Sequence, residues 1–246
     1  MVWKIKFFRF AFLLLALSGC VAQNSGMPGM EYVPTRAGEY TIATWRRDMD
    51  NAAPVHIYIE GDGASFDRHG RPTDDPTPRG RTLRDLVMRD DAPNVVYIAR
   101  PCQFIVDGCV PADWTYGRFS ARVIDALGDV VRDAAAGREV VLVGYSGGAM
   151  ASGLVLMRNP DMRVRRWITV AGVLNHADWT AYFGDSPLTT SLNMEKLPPV
   201  PQTHYIAARD TVVPAELSRR WTNDTAQVIP GTTHSNMSKL QILFDK

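Results

Sequence analysis

The sequence predicts an α/β architecture: a mostly parallel central sheet flanked by helices, with a small cap. Two observations predict it. Apolar, β-branched runs of strand length alternate along the chain with segments of helical spacing, which is the pattern of βαβ units. One such run, Glu139–Val143, feeds directly into Gly144-Tyr145-Ser146-Gly147-Gly148 and then into the small-residue segment Gly148–Gly153. A G-x-S-x-G sequence at a strand-to-helix junction holds the serine hydroxyl out on a tight, strained turn. Its glycines are needed where the neighbouring strand and helix leave no room for a side chain.

The elements follow in order. Tyr40–Trp45 alternates as an early strand, and Pro54–Glu60 is a second, ending in Gly61-Asp62-Gly63. A polar, proline-rich stretch from Ala64 to Arg81 is too long for a simple connection. Leu83, Leu86 and Val87 have helical spacing, with Thr82 and Asp85 placed as a capping box. Asn94–Ala99 is a buried strand, followed by a loop with two cysteines and a helix from about Ser120 to Ala136. Beyond the serine turn come strands at Arg165–Val173, Thr203–Ala207 and Ala226–Ile229, then a short terminal helix. No internal repeat is visible. The net charge of +1 and the absence of a basic run argue against nucleic acid as a partner.

At the N-terminus, Lys4, Lys6 and Arg9 precede or edge the apolar stretch Phe10–Leu17, a basic-then-apolar pattern that reads as an export signal. Its end, Leu17-Ser18-Gly19-Cys20, resembles the bacterial lipobox, L-[AS]-[GA]-C. That resemblance implies removal of residues 1–19, acylation of Cys20 and a membrane anchor in the bacterial cell envelope; an ordinary signal peptide or a short membrane anchor with a chance cysteine is the alternative. Val21, which is not the aspartate of inner-membrane retention, implies the outer membrane facing the periplasm. Residues 20–38 are then expected to be the lipidated cysteine and a flexible tether, and residues 39–246 a single domain. With Cys20 acylated, Cys102 and Cys109 remain of the three cysteines as an even pair in an oxidising compartment. A disulfide there would close a short loop; two free buried thiols are the alternative.

From about Tyr40 to the C-terminus the chain resembles the α/β-hydrolase superfamily, with its motifs in the family's order. The resemblance implies a serine hydrolase that needs no cofactor, with Ser146 as nucleophile. Ala207-Ala208-Arg209-Asp210-Thr211-Val212-Val213-Pro214 resembles the family's G-x-x-D-x-x-V-P segment, with Ala207 in place of the glycine, which makes Asp210 the orienting acid. Asp178, Asp185 and Asp224 are weaker candidates by position. Of the five histidines, His234 lies after the last strand, where the family places its base; His56, His69, His176 and His204 fall elsewhere in that order. Ser146, Asp210 and His234 occur in the family's chain order.

The oxyanion hole is expected to use the N–H of Gly147 and a second N–H from the loop after the Val55–Ile59 strand, either Asp62 or Gly63. Relatives carry His-Gly-x or Gly-Gly-x in that loop, whereas this chain has Glu60-Gly61-Asp62-Gly63. A carboxylate beside an oxyanion is repulsive unless turned away or paired, and Arg100 is the candidate partner. Glu60 and Asp62 alone are too few ligands to indicate a metal site. Leu174–Pro199, with Trp179, Tyr182, Phe183 and Leu188, has the length of a minimal cap, and Phe104, Trp114 and Tyr116 add apolar surface. The expected activity is hydrolysis of a small-molecule ester or acyl substrate. The alternatives are a peptidase, thioesterase or acyltransferase on the same fold, or a non-catalytic lipoprotein that binds an envelope partner. Nothing in the sequence addresses oligomeric state.

Overall fold

The computed structural model describes residues 26–222, 225–237, 240–242 and 244; Cys20 and the expected signal segment lie outside them. Eight strands form one sheet in the order β1-β2-β4-β3-β5-β6-β7-β8. β1 (Glu31–Ala37) and β2 (Tyr40–Asp48) make an antiparallel hairpin at one edge, and β2 pairs antiparallel with β4 (Asn94–Ile98). From β4 onward every pairing is parallel: β3 (Val55–Ile59), β5 (Val140–Tyr145), β6 (Val164–Val170), β7 (Gln202–Ala207) and β8 (Ala226–Ile229).

The period of two along each strand sends alternate residues to two separate cores. Ile57 and Ile59 of β3, with Leu142 of β5, face α2 (Ala121–Ala135) and α3 (Gly147–Arg158), where Val123, Leu127 and Val155 are fully buried. Tyr58, Val141, Val143 and Ile168 point the other way, toward α1 (Thr82–Val87) and its Leu83 and Leu86. Strands covered on both faces carry continuous apolar runs, which is why β3 to β7 are readable from sequence.

Three expectations need correction. Residues 31–37 are strand, not tether: Tyr32 packs on Trp45 with ring centroids 4.9 Å apart, and Met27 is buried in the core. β1 is an edge strand, and an edge tolerates Pro34, whose missing N–H would break a central ladder. The capping box at Thr82 does not form. Arg81 is the N-cap residue, and the Thr82 hydroxyl instead donates to the carbonyl of Ser235 at 2.9 Å. Among the described residues beyond β8 there is no helix, and His234 sits in a turn. Two further α-helices lie among the described residues: α4 (His176–Phe183) in the expected cap segment, and α5 (Ala215–Thr222). No helix among the described residues is long and apolar enough to cross a membrane.

His204, on β7, is buried in the sheet, with Nδ1 2.8 Å from the Thr169 hydroxyl and Nε2 2.9 Å from Oε1 of Gln202. The amide oxygen only accepts, so Nε2 carries the proton and the ring fits its site as the neutral form. Burial pushes its pKa down from 6.5 to about 4. Below 6.5 the unfolded chain therefore binds a proton that the folded chain refuses. Stability from this residue is complete above pH 6.5 and is lost as pH falls toward 4, by about 3 kcal/mol. In urea titrations, the stability difference between wild type and His204→Gln is expected to narrow by that amount between pH 7 and pH 4. A constant difference would contradict a buried neutral His204.

Candidate active site

The sheet reverses its winding at β3. The chain steps from β3 outward to β4, then returns to lay β5 on the other side of β3. This is the position where an open parallel sheet leaves a crevice at the carboxyl ends of its strands. The loop after β3 carries Gly61-Asp62-Gly63, and the turn after β5 carries Ser146, so the two segments are brought together.

Ser146 has φ +53° and ψ −122°, a conformation that costs energy for any residue with a side chain and that the surroundings must impose. They do so through the glycines on either side. A β-carbon on Gly144 would lie 2.5 Å from Oγ of Ser152 and 2.6 Å from Cα of Ala149. One on Gly148 would overlap the carbonyl oxygens of Ile59 and Glu60. The turn is also tied down by Ser146 N–H donating to Val170 O at 3.0 Å.

His234 Nε2 is 3.0 Å from Ser146 Oγ, and His234 Nδ1 is 2.8 Å from Asp210 Oδ2. The other carboxylate oxygen of Asp210 accepts the N–H groups of Val212 and Val213, both at 2.8 Å. A carboxylate only accepts, so Nδ1 of His234 carries the proton and Nε2 presents a lone pair to the serine. The loops bearing the acid and the histidine are stitched together, with Arg209 N–H donating to Thr232 O and the Arg209 guanidinium to Gly231 O, both at 2.9 Å. Two hydroxyls hold the histidine turn from below: Tyr145 on the carbonyl of His234, at 3.1 Å, and Thr82 on that of Ser235.

In the loop after β3, Gly63 adopts φ +67°, and a β-carbon there would lie 2.7 Å from Nε2 of Gln103. Gln103 donates to Gly61 O at 2.8 Å and accepts from Arg100 N–H at 3.0 Å. It is carried by the loop that the Cys102–Cys109 disulfide closes. The N–H groups of Asp62, Gly63 and Gly147 donate to no acceptor among the described residues. The Asp62 carboxylate is paired with Arg100, as expected, and also with Arg118. Glu60 turns away from it: its oxygens accept Gly61 N–H at 2.9 Å and the Tyr97 hydroxyl at 2.7 Å, and burial pushes its pKa up. Glu60 and Asp62 thus do not converge on a common point.

No protein-family model and no curated protein matches the sequence. Solved structures do match. The chain is similar to XC6422 from Xanthomonas campestris, an α/β serine hydrolase without lid, at 13% identity over 85% of this chain and 87% of that one, with a TM-score of 0.55. Est1E from Butyrivibrio proteoclasticus aligns at 13% identity over 85% of this chain and 91% of its own, with a TM-score of 0.56. An acylaminoacyl peptidase of Pyrococcus horikoshii aligns at 12% identity over 85% of this chain and 38% of the peptidase, with a TM-score of 0.54. This chain has the α/β-hydrolase fold.

Within the α/β-hydrolase fold the four remaining histidines lie away from the serine hydroxyl. His56 contacts Asp90 at 2.7 Å, His69 is exposed, and His204 is held in the sheet. His176 lines the cleft but gives its Nε2 to Leu192 O at 3.0 Å. The cleft above Ser146 has a volume of about 800 Å³ and is walled by Phe66, Phe119, Val173, Trp179, Leu188 and Val213. That volume is in the range of small-molecule sites. Of the aromatics singled out from sequence, Trp179 and Tyr116 reach the cleft, whereas Phe104 packs on Trp45 at 5.1 Å and Trp114 is buried in the core. Arg118 and Gln103 had no local signal, and the local patterns that hold Tyr145 and Thr82 do not announce their contacts with the histidine turn. Each acts through a contact made only by the folded chain.

Proposed function

We propose that this protein is a serine hydrolase that cleaves small carboxylic esters through an acyl-enzyme. The observation that carries the reading is the continuous relay from Ser146 through His234 to Asp210, with separations of 3.0 and 2.8 Å. Ser146 Oγ attacks the acyl carbon as Nε2 of His234 takes its proton, and Asp210 stabilises the imidazolium that forms. The N–H of Gly147, with that of Asp62 or Gly63, receives the negative charge on the carbonyl oxygen. His234 then returns the proton to the departing alcohol, and in the second half it activates the water that releases the acid. No step requires a cofactor.

The apolar side chains among those walling the cleft, Phe66, Phe119, Val173, Leu188 and Val213, favour an uncharged acyl chain of modest size. The lipobox-like Leu17–Cys20 supports a lipid anchor on Cys20 and a location at the bacterial envelope, facing the periplasm. The test is turnover of p-nitrophenyl esters from acetate to decanoate. The reading expects a burst of nitrophenol equal to the enzyme present, then steady turnover, both lost in Ser146→Ala. Folded wild-type protein that hydrolyses none of the series would refute it.

A further inference from the structure

The oxyanion loop of this chain carries a carboxylate where a carboxylate should be harmful. The Asp62 side chain lies over Gly147, in the space that a β-carbon at position 147 would occupy. A negative charge there opposes the one that builds on the substrate's carbonyl oxygen, whose stabilisation is the purpose of the site. Two guanidinium groups meet it. Arg100 Nη1 is 3.2 Å from Oδ1, and Arg118 Nε is 2.9 Å from Oδ2.

Both arginines are almost wholly buried, at 5% and 6% exposure, and each is held by a backbone carbonyl, while the Nε of each makes no hydrogen bond among the described residues. Arg100 Nη2 donates to the carbonyl of Arg118, and Arg118 Nη1 donates to Thr115 O at 2.9 Å. Both guanidinium groups lie over the Phe119 ring, 5.0 and 5.6 Å from its centroid. Burial opposes the charge on Arg100 and lowers its pKa, so the arrangement is held against a desolvation cost. One arginine would neutralise the Asp62 carboxylate. Here there are two; Arg100 also faces the buried Glu60, whose ionisation burial disfavours, and the arginine that lines the cleft is Arg118.

We propose that Arg118 is a positioning residue for ester hydrolysis: with Arg100 it pins and over-compensates the Asp62 carboxylate, so that the loop's N–H groups meet the oxyanion in a positive field. This rests on the serine-hydrolase reading above. The clamp lets the loop carry a carboxylate at Asp62, and it ties loop geometry to loop charge.

The test is a charge-cancellation cycle on the full-length protein with p-nitrophenyl acetate. Arg118→Gln leaves Asp62 under-compensated and is expected to lower kcat on the order of 10²-fold, with KM changed by no more than about threefold. Adding Asp62→Asn removes the exposed negative charge and should restore kcat on the order of 10-fold over Arg118→Gln alone. Arg118→Lys, which keeps the charge without the fork, should fall between wild type and Arg118→Gln. An unchanged kcat in Arg118→Gln, or a double variant no better than the single, overturns the proposal, because a purely structural arginine is not rescued by a second substitution. If Arg118→Gln does not fold, the same cycle is run with Arg100→Gln. Wild type that neither turns over ester nor reacts with a fluorophosphonate refutes the hydrolase reading itself. Active wild type with an unrescued variant refutes only the clamp.

Discussion

Asp210→Asn is expected to lower kcat about 10⁴-fold near neutral pH while leaving the fold intact. The side chain is buried, and asparagine matches it in shape. Its amide oxygen can still accept from Val212 and Val213, so the loop keeps its backbone hydrogen bonds. What changes is the atom facing His234 Nδ1 at 2.8 Å. An amide nitrogen donates where a carboxylate accepts, so the imidazole proton must move to Nε2. That nitrogen then points an N–H at Ser146 and cannot take the serine proton. Because the lost interaction belongs to the transition state, kcat and kcat/KM should fall together with KM little altered. Steady-state kinetics beside a thermal melt reads this directly. A loss of less than about tenfold would mean that Asp210 does not orient the base.

The second large effect is on stability. Gly148→Ala is expected to cost about 3 kcal/mol or more, or to prevent folding altogether. Its β-carbon would fall inside the carbonyl oxygens of Ile59 and Glu60, which are backbone atoms at the end of β3 and cannot rotate away. Relief requires moving α3 off the sheet, which loosens the turn that holds Ser146 at φ +53°. Gly80→Ala is the control, since a β-carbon there meets nothing within 4 Å, and its effect should stay within about 0.5 kcal/mol. Urea unfolding of the two variants beside wild type measures the contrast. Equal stability of Gly148→Ala and Gly80→Ala would show that the close helix–strand packing is not needed.

The parts of this protein that were legible in its sequence are those where local pattern and tertiary role coincide. β3 to β7 are buried on both faces, so their β-branched runs announce themselves, and the glycine pair around Ser146 reports a packing constraint that only glycine meets. Asp210 was legible through the likeness of its segment to G-x-x-D-x-x-V-P and His234 through its place after the last strand, and the structure brings His234 to Ser146 and Asp210 to His234. β1 was not legible, because an edge strand can hold Pro34 and polar residues, and its preceding Gly-Met-Pro-Gly segment reads as linker. The same limit hid Arg118. Its segment has no local signature, and its meaning comes from Asp62, which lies 56 positions away in the chain. Thr82 shows the converse error, since a residue well placed to cap its own helix serves the histidine turn instead.

The measurement that tests the central claim most directly is labelling of the full-length protein with a fluorophosphonate probe, beside Ser146→Ala and His234→Ala. The account predicts one label per wild-type chain, mapped to Ser146 by peptide mass. It predicts none in Ser146→Ala and a rate collapsed toward background in His234→Ala. Folded wild-type protein that takes no label, or label that persists in Ser146→Ala, would contradict an activated serine in the turn after β5.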